Sequence, residues 1–408
     1  MKKDTLRASA LSALDAYMRV GTTIYKKVSV PMINGREHVR KIVPWNIETL
    51  RQDFNKAEIA LIEKYDGFCT IPCHDDFSRS IDGFYNLYEP ISHIPQPGEF
   101  PHIVSLLSHV FDEQYEMGVD YVQILYRMPE QKLPILLLVS EDRNTGKSSF
   151  LNFLKSIFEE NATFNTNEDF RSQFNSDWAG KLLVLVDEVL LNRREDSERL
   201  KNLSTTYNYK IEAKGKDRYE VPFFAKFVLC SNNERNPVLI DPGELRYWVR
   251  KIHPLVSDDP FFLEKVKKEI PAFLHFLLHR ELSTQQESRM WFSASSIRTK
   301  ALDRIIHFNR NKTEQETIEI LFEIMENFNL NEVRFTLQDL LLWLQDAQVK
   351  TDKTAIRVML KESWKLKPTP TPRTYQKYTI DASSKYRYCA VSTQGRFYTV
   401  NREYLQTL

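Results

Sequence analysis

The sequence predicts an α/β protein with a parallel sheet carrying a phosphate-binding loop, and three stretches predict it. An apolar run from Leu133 to Val139 leads into a loop ending Gly146-Lys147-Ser148, then into a helix-forming segment. A second run, Lys181 to Val186, ends in Asp187-Glu188, and a third, Ala225 to Cys230, ends in Ser231-Asn232. Short apolar strands separated by helical segments are the pattern of a parallel sheet covered on both faces.

The first strand's loop has the chemistry of an anion site. Gly146 lets the backbone curl so that the N–H groups of Asn144, Thr145, Gly146 and Ser149 and the helix start face an anion. Lys147 reaches the β/γ-phosphates, and the Ser148 hydroxyl suits Mg²⁺. Glu141 stands where G-x-x-x-x-G-K-[ST] has its first glycine, and a chance Gly-Lys-Ser in a strand–helix turn is the competing reading. Glu141 and Asp142 also bring negative charge toward the phosphates unless they point outward or pair with Arg143.

The second strand delivers two carboxylates beside this loop. Asp187 would hold Mg²⁺ through its waters together with Ser148, and Glu188 would polarise the attacking water. From the third strand, Asn232 can bond the γ-phosphate and that water, though a turn asparagine has the same appearance. Between these two strands, Lys214, Lys216 and Arg218 lie at the expected tip of a hairpin, where they would grip phosphates or simply be solvated.

At 408 residues and 42% hydrophobic content the chain accommodates several domains. Residues 1–128 mix helical patterns (Ser9–Met18, Ile47–Glu63, Ile103–Tyr115) with extended pieces at Thr22–Pro31 and Phe84–His93, and are expected to form a mainly helical domain. Phe84, Tyr85 and Tyr88 read as core aromatics or, alternatively, as base-stacking residues. Residues 129–256 hold the sheet. Residues 257–328 read as a helical lid with segments Phe261–Ile270, Pro271–Glu281, Ser295–Phe308 and Glu316–Asn327. In residues 329–408, Thr336 and Asp339 open a helix to Leu344, Thr354–Glu362 forms a second carrying Arg357 and Lys361, and Tyr375–Asp381 and Tyr386–Val400 alternate as two strands. Two helices and a hairpin suggest a DNA-binding winged helix. Residues 331–408 carry 13 Lys/Arg against 7 Asp/Glu, a balance of +6 that leaves −5 elsewhere in a chain of net charge +1. DNA contact therefore has to come from local patches.

No apolar stretch approaches the roughly 18 residues of a membrane span, and Asp4, Arg7 and Asp15 break any signal-peptide core, so a cytoplasmic protein with no membrane partner is expected. Four cysteines are too few for a disulfide framework. The spacing of Cys69, Cys73 and His74 suggests metal ligands, but no second cysteine pair completes a tetrahedral site, which favours structural thiols.

In this order, Asn144-Thr-Gly-Lys-Ser148, Val186-Asp-Glu188, the Lys214–Arg218 segment and Leu229-Cys-Ser-Asn232 resemble the superfamily 3 helicases, most closely the phage and poxvirus primase-helicase group. Glu244-Leu-Arg246-Tyr-Trp-Val resembles that family's arginine followed by aromatics, and Glu269-Ile-Pro-Ala-Phe-Leu-His-Phe-Leu-Leu its helical lid. Phe84-Tyr-Asn-Leu-Tyr-Glu-Pro resembles the segment preceding the ATPase, and the tail resembles the C-terminal winged helix.

The resemblance implies an AAA+ ATP hydrolase that uses ATP and Mg²⁺ and forms a hexameric ring. It further implies 3′ to 5′ translocation on single-stranded DNA and opening of forked DNA during replication of a phage, plasmid or mobile element. It makes Lys147, Glu188 and Asn232 catalytic, with Arg246 supplied by the neighbouring subunit and Arg250 as the alternative finger. A single arginine before Tyr-Trp departs from the family's arginine pair. No N-terminal primase is recognisable, so a separate primase is a possible partner. A replication initiator, loader or defence ATPase without processive unwinding shares the same ATP site, and a winged-helix regulator that binds nucleotide without turnover is a third reading.

Overall fold

The computed structural model describes residues 13–31, 38–170, 178, 180–191, 193–211, 219–241, 243–255, 259–309, 312–349, 351–380 and 387–407. The chain divides into two compact units, Met1–Ile305 and Ile306–Leu408.

The first unit is built on five strands: β1 (Ile135–Val139), β2 (Ala162–Phe164), β3 (Leu183–Val186), β4 (Lys226–Ser231) and β5 (Tyr247–Lys251). Their spatial order is β5-β1-β4-β3-β2, and every pairing is parallel. β1, β3 and β4 are buried along their whole length, which is why their sequences read as unbroken apolar runs instead of alternating. Because β1, β4 and β3 are consecutive in the sheet, their C-terminal ends deliver the Gly-Lys-Ser loop, Asn232 and Asp187-Glu188 to one edge.

Four helices pack with the sheet: α1 (Pro101–Phe111), α2 (Tyr115–Arg127), α3 (Lys147–Phe158) and α4 (Phe262–His279). Ile103, Leu107, Val122, Phe150, Leu185, Trp248, Phe273 and Leu277 all belong to one hydrophobic core. Pro101 starts α1, where a missing N–H costs nothing. Glu269 of α4 accepts from the N–H groups of His102 (2.9 Å) and Ile103 (3.0 Å) and so caps α1. At the C-terminal end of α4, fully buried Asp120 of α2 receives the Arg280 guanidinium, the Ser283 N–H and hydroxyl (3.1 and 2.9 Å) and the Thr284 N–H and hydroxyl (both 2.7 Å). The expected boundary at residue 128 is therefore corrected: α1 and α2 share a core with the sheet and with the helix read as a lid.

The expectation of a mainly helical N-terminal region is also corrected. Strands His38–Trp45, Thr23–Pro31, Tyr17–Val20 and Glu63–Tyr65 form a sheet in that order, and Gly67–Cys69, Phe84–Asn86 and Ser80–Ile81 form another. Tyr17 and Met18, the end of a stretch read as helix, open a strand that pairs antiparallel with the neighbouring Thr23–Pro31 and parallel with the remote Glu63–Tyr65. Ile47–Glu63 breaks into Ile47–Asp53 and Lys56–Ile59, since Asn55 starts a new helix by accepting from Ala57 N–H and Glu58 N–H, both at 3.0 Å. Tyr85 and Tyr88 are buried, and Phe84 is half-exposed.

His74 belongs to this packing. Its Nδ1 donates to the Tyr126 carbonyl at 2.6 Å, so its Nε2 accepts from the Tyr88 hydroxyl at 2.7 Å, and the ring stacks on Tyr126. Both nitrogens are thus committed within the chain, and the described residues contain no group of three or more potential metal ligands. Burial pushes the imidazole pKa down to about 4, against the hydrogen bond to Tyr126, which raises it. The unfolded chain binds this proton first, so stability is full above pH 6.5 and falls as pH drops from 6.5 toward 4, by about 3 kcal/mol across that window. Replacing His74 with Phe is expected to flatten this acid limb, which urea melts at pH 7 and pH 5 measure directly.

The second unit holds a helix at Lys312–Asn327, a strand at Glu332–Phe335, and helices at Leu337–Asp346 and Lys353–Val358, the last running into a π-turn over Met359–Ser363. Thr336 and Asp339 form a capping box, matching the helix start read from those two residues. Strands Arg373–Ile380 and Tyr388–Gly395 pair antiparallel, and Tyr398–Asn401 pairs with Glu332–Phe335. The long second strand expected to reach Val400 therefore ends at Gly395 and a new strand changes partner. Ile318, Leu321, Ile324 and Met325 lie in this unit's core beside Trp343 and Trp364, so the helix assigned by sequence to a lid ending at residue 328 belongs here.

Candidate functional site

Between β1 and α3 the backbone turns through two left-handed residues, Asn144 (φ 53°) and Gly146 (φ 81°). Asparagine and glycine tolerate this region best. The loop is held from both sides: His109 Nε2 donates to the Thr145 carbonyl at 3.0 Å, and Leu255 N–H to the Asn144 carbonyl at 3.2 Å. No side chain caps α3, so its first N–H groups remain available to an anion at a helix N-terminus. Residues 143–149 line a cavity of about 490 Å³ with Asp187, Glu188 and Asn232.

Lys147 is 6% exposed, and its ammonium rests on the Thr145 hydroxyl at 2.8 Å and the Asp142 carbonyl at 3.4 Å. Burial lowers its pKa, while Cys230, Asp187, Glu234 and Asp142 pull the other way. Ser148 donates to Asp187 Oδ2 at 2.7 Å; a hydroxyl beside a carboxylate, with oxygen donors alone, suits a hard divalent cation. Glu188 has φ 59°, a conformation costing a non-glycine residue about 1–2 kcal/mol. Its Oε1 accepts from Asn232 Nδ2 at 3.4 Å. Chemically, the cavity combines a helix start without a side-chain cap, an ammonium, a hydroxyl–carboxylate pair and a carboxylate–amide pair, all at the edge reached by β1, β4 and β3.

Glu141 and Asp142 are exposed and outside the cavity lining. The Glu141 carboxylate lies 3.5 Å from Arg235, and its N–H donates to Glu234 at 3.1 Å. Burial raises the Glu234 pKa, but Lys251 at 2.9 Å and the Glu141 N–H outweigh it and leave the value lowered. The glutamate at the missing-glycine position thus does not point charge at the anion site.

The arginine assignments change. Arg246 reaches Glu244 in its own loop, at 3.2 Å, so it has an in-chain partner that the sequence reading did not give it. Arg250 is 6% exposed and donates to Glu113 (2.6 Å), Gln114 (2.7 Å) and the carbonyls of Phe111 (2.8 Å) and Val110 (3.4 Å). It fastens β5 to the end of α1 and is removed as an alternative finger. Lys214, Lys216 and Arg218 lie outside the described residues, but the strands flanking them, Asn208–Ile211 and Tyr219–Pro222, pair antiparallel as a hairpin requires. Arg357 and Lys361 are exposed on the second unit's helical segment, with Lys361 3.4 Å from Glu362. Sequence reasoning missed His109 and Asn167, whose Nδ2 donates to the Glu188 carbonyl at 3.1 Å; neither sits in a recognisable pattern.

The model of a family of unknown function (DUF5906) matches residues 138–246, the stretch from within β1 to Arg246. The chain is 28% identical over 198 residues to a DNA primase-polymerase of Nitratiruptor phage NrS-1, a match taking in 46% of this chain and 27% of that protein. The match thus spans about a quarter of that relative's length. In fold, the chain is similar to the apo structure of the NrS-1 C-terminal region, with a TM-score of 0.54 and 17% identity over 84% of this chain and 82% of that one. The A form of that region gives the same TM-score over 86% and 84%. No helix among the described residues is long and apolar enough to cross a membrane.

Proposed function

We propose that the chain is a Mg²⁺-dependent ATP hydrolase acting on DNA during replication of a phage or related mobile element, as an AAA+ motor of the superfamily 3 helicase kind. One observation carries this reading: Lys147, the Ser148–Asp187 pair and the Glu188–Asn232 pair, from three separate strand ends, line a single cavity. The sheet order, the partial likeness to a phage DNA primase-polymerase and the fold likeness to the NrS-1 C-terminal region support it.

Backbone donors of residues 144–149 and Lys147 would cradle the phosphates, with Mg²⁺ between Ser148 and Asp187 supplying charge neutralisation. Glu188 would take up the proton of the attacking water, and Asn232 would hold that water against the γ-phosphate. In a hexameric ring a neighbour's Arg246 would complete the site by leaving Glu244 for the developing phosphate charge. The chain would move 3′ to 5′ on single-stranded DNA, with residues 214–218 lining the channel and a winged-helix second unit presenting Arg357 and Lys361.

ATP hydrolysis stimulated by single-stranded DNA tests the core of this reading, and displacement of a strand from a 3′-tailed duplex separates a helicase from a loader, initiator or defence ATPase. Removing the charges of Lys214 and Lys216 is expected to abolish displacement, spare basal hydrolysis and reduce the salt dependence of DNA binding, by a slope of roughly 0.7 per lost contact. Displacement at the wild-type rate would favour the loader reading. Deletion of the second unit should cut at residue 305, because a cut at 331 strands Ile318, Leu321 and Ile324 without their core.

A further inference from the structure

We infer that Asn167 is a positioning residue for Glu188, holding the catalytic carboxylate's backbone in its left-handed conformation; this rests on the hydrolase reading above. Asn167 lies just beyond the end of β2, beside β3 in the sheet. Its side-chain amide makes both of its bonds to the segment after β3. Nδ2 donates to the Glu188 carbonyl at 3.1 Å, and Oδ1 accepts from the Leu190 N–H at 2.8 Å. The clamp therefore closes across Val189 and fixes the carbonyl end of Glu188, whose φ is positive at 59°.

The clamp has its own support. Asp169 Oδ2 accepts from the Thr166 N–H at 2.7 Å and the Thr166 hydroxyl at 2.9 Å, which fixes the turn that presents Asn167. Asn165 N–H donates to the Leu185 carbonyl at 2.8 Å, continuing the β2–β3 pairing up to that turn. On its far side, the Val189 N–H donates to the Cys230 carbonyl at 2.7 Å and the Ser231 hydroxyl to the Val189 carbonyl at 3.0 Å. The segment from Glu188 to Leu190 is thus held by Asn167 on β2's side and, through Val189, by β4 on the other, with the Glu188 carboxylate turned to Asn232. An extended backbone at this residue would point its side chain elsewhere, because a change of φ from positive to negative redirects the Cβ. Among the described residues its hydrogen bonds reach Glu188 and Leu190, of which Glu188 alone lines the cavity, so it acts through that residue.

The test is a double-mutant cycle in the full chain, read as kcat and as binding of a fluorescent ATP analogue. N167A is expected to lower kcat by roughly 10–100-fold, the scale of an ångström-sized misplacement, with ATP-analogue affinity within about twofold of wild type. In an E188Q background, adding N167A should leave the residual turnover unchanged within about twofold, because the residue it positions has already lost its function. N167D keeps the acceptor for Leu190 and loses the donor to Glu188; it should also lower kcat, and it serves if the alanine variant does not fold. Wild-type kcat in both variants, or a loss that multiplies with E188Q, overturns the positioning role while leaving the hydrolase reading intact. Absence of turnover in the wild-type chain overturns the hydrolase reading and the role of Asn167 with it.

Discussion

Glu188→Gln is expected to bind ATP as the wild type does and to turn it over about 10²–10⁴-fold more slowly, the range for loss of a positioned general base. The substitution is nearly isosteric, and glutamine is no more strained than glutamate at φ 59°, so the backbone geometry has no reason to change. Lys147→Ala should behave in the opposite way. An ammonium that is 6% exposed and poised on the Thr145 hydroxyl contributes to phosphate affinity through charge-assisted bonds of about 1.5–3 kcal/mol, so nucleotide binding should weaken by roughly 10–100-fold. Equilibrium binding of an ATP analogue beside single-turnover hydrolysis distinguishes the two effects. Undiminished turnover in Glu188→Gln would move the catalytic carboxylate elsewhere.

The second large effect concerns stability. Asp120→Ala removes a buried carboxylate that satisfies five donors, and it leaves the Arg280 guanidinium, itself 10% exposed, with Glu116 and Gln123 alone. Breaking a buried pair from one side costs about 3–5 kcal/mol, a large fraction of the 5–15 kcal/mol that holds a typical domain together. A urea melt should show the midpoint falling with little change in slope. The double variant Asp120→Ala with Arg280→Met should recover part of the loss, since it removes the uncompensated charge together with its partner.

The part of this molecule that could be read from sequence is the part encoded by neighbours in the chain. Leu133–Val139, the Gly-Lys-Ser loop and the amphipathic start of α3 are contiguous, so strand, loop and helix are legible together. Asp187 and Asn232 are legible because each terminates an apolar run. What could not be read depends on partners far away along the chain. Arg250 looks like a free arginine until the fold brings Glu113 and Gln114 to it. Tyr17 and Met18 look like the end of a helix until the strand they open pairs with the remote Glu63–Tyr65. Asn167 is one polar loop residue among several, and its value appears only when the end of β2 is laid beside the end of β3.

The packing of α1 and α2 against the sheet also separates two boundaries that are easily confused. The match to the family model begins at residue 138, yet the hydrophobic core around that stretch includes Tyr88, Ile103, Leu107, Val110 and Val122. Asn161, next to β2, trades two hydrogen bonds with the Glu89 backbone at 3.1 and 2.6 Å. A recombination event that joined a foreign N-terminal module at residue 129 would carry every residue lining the cavity and is still expected to fold poorly, because one wall of the core would be left behind. Exchange of upstream modules is expected to succeed only at joints ahead of the His74–Tyr88 segment. The unit that must travel together is therefore longer than the stretch the family model matches.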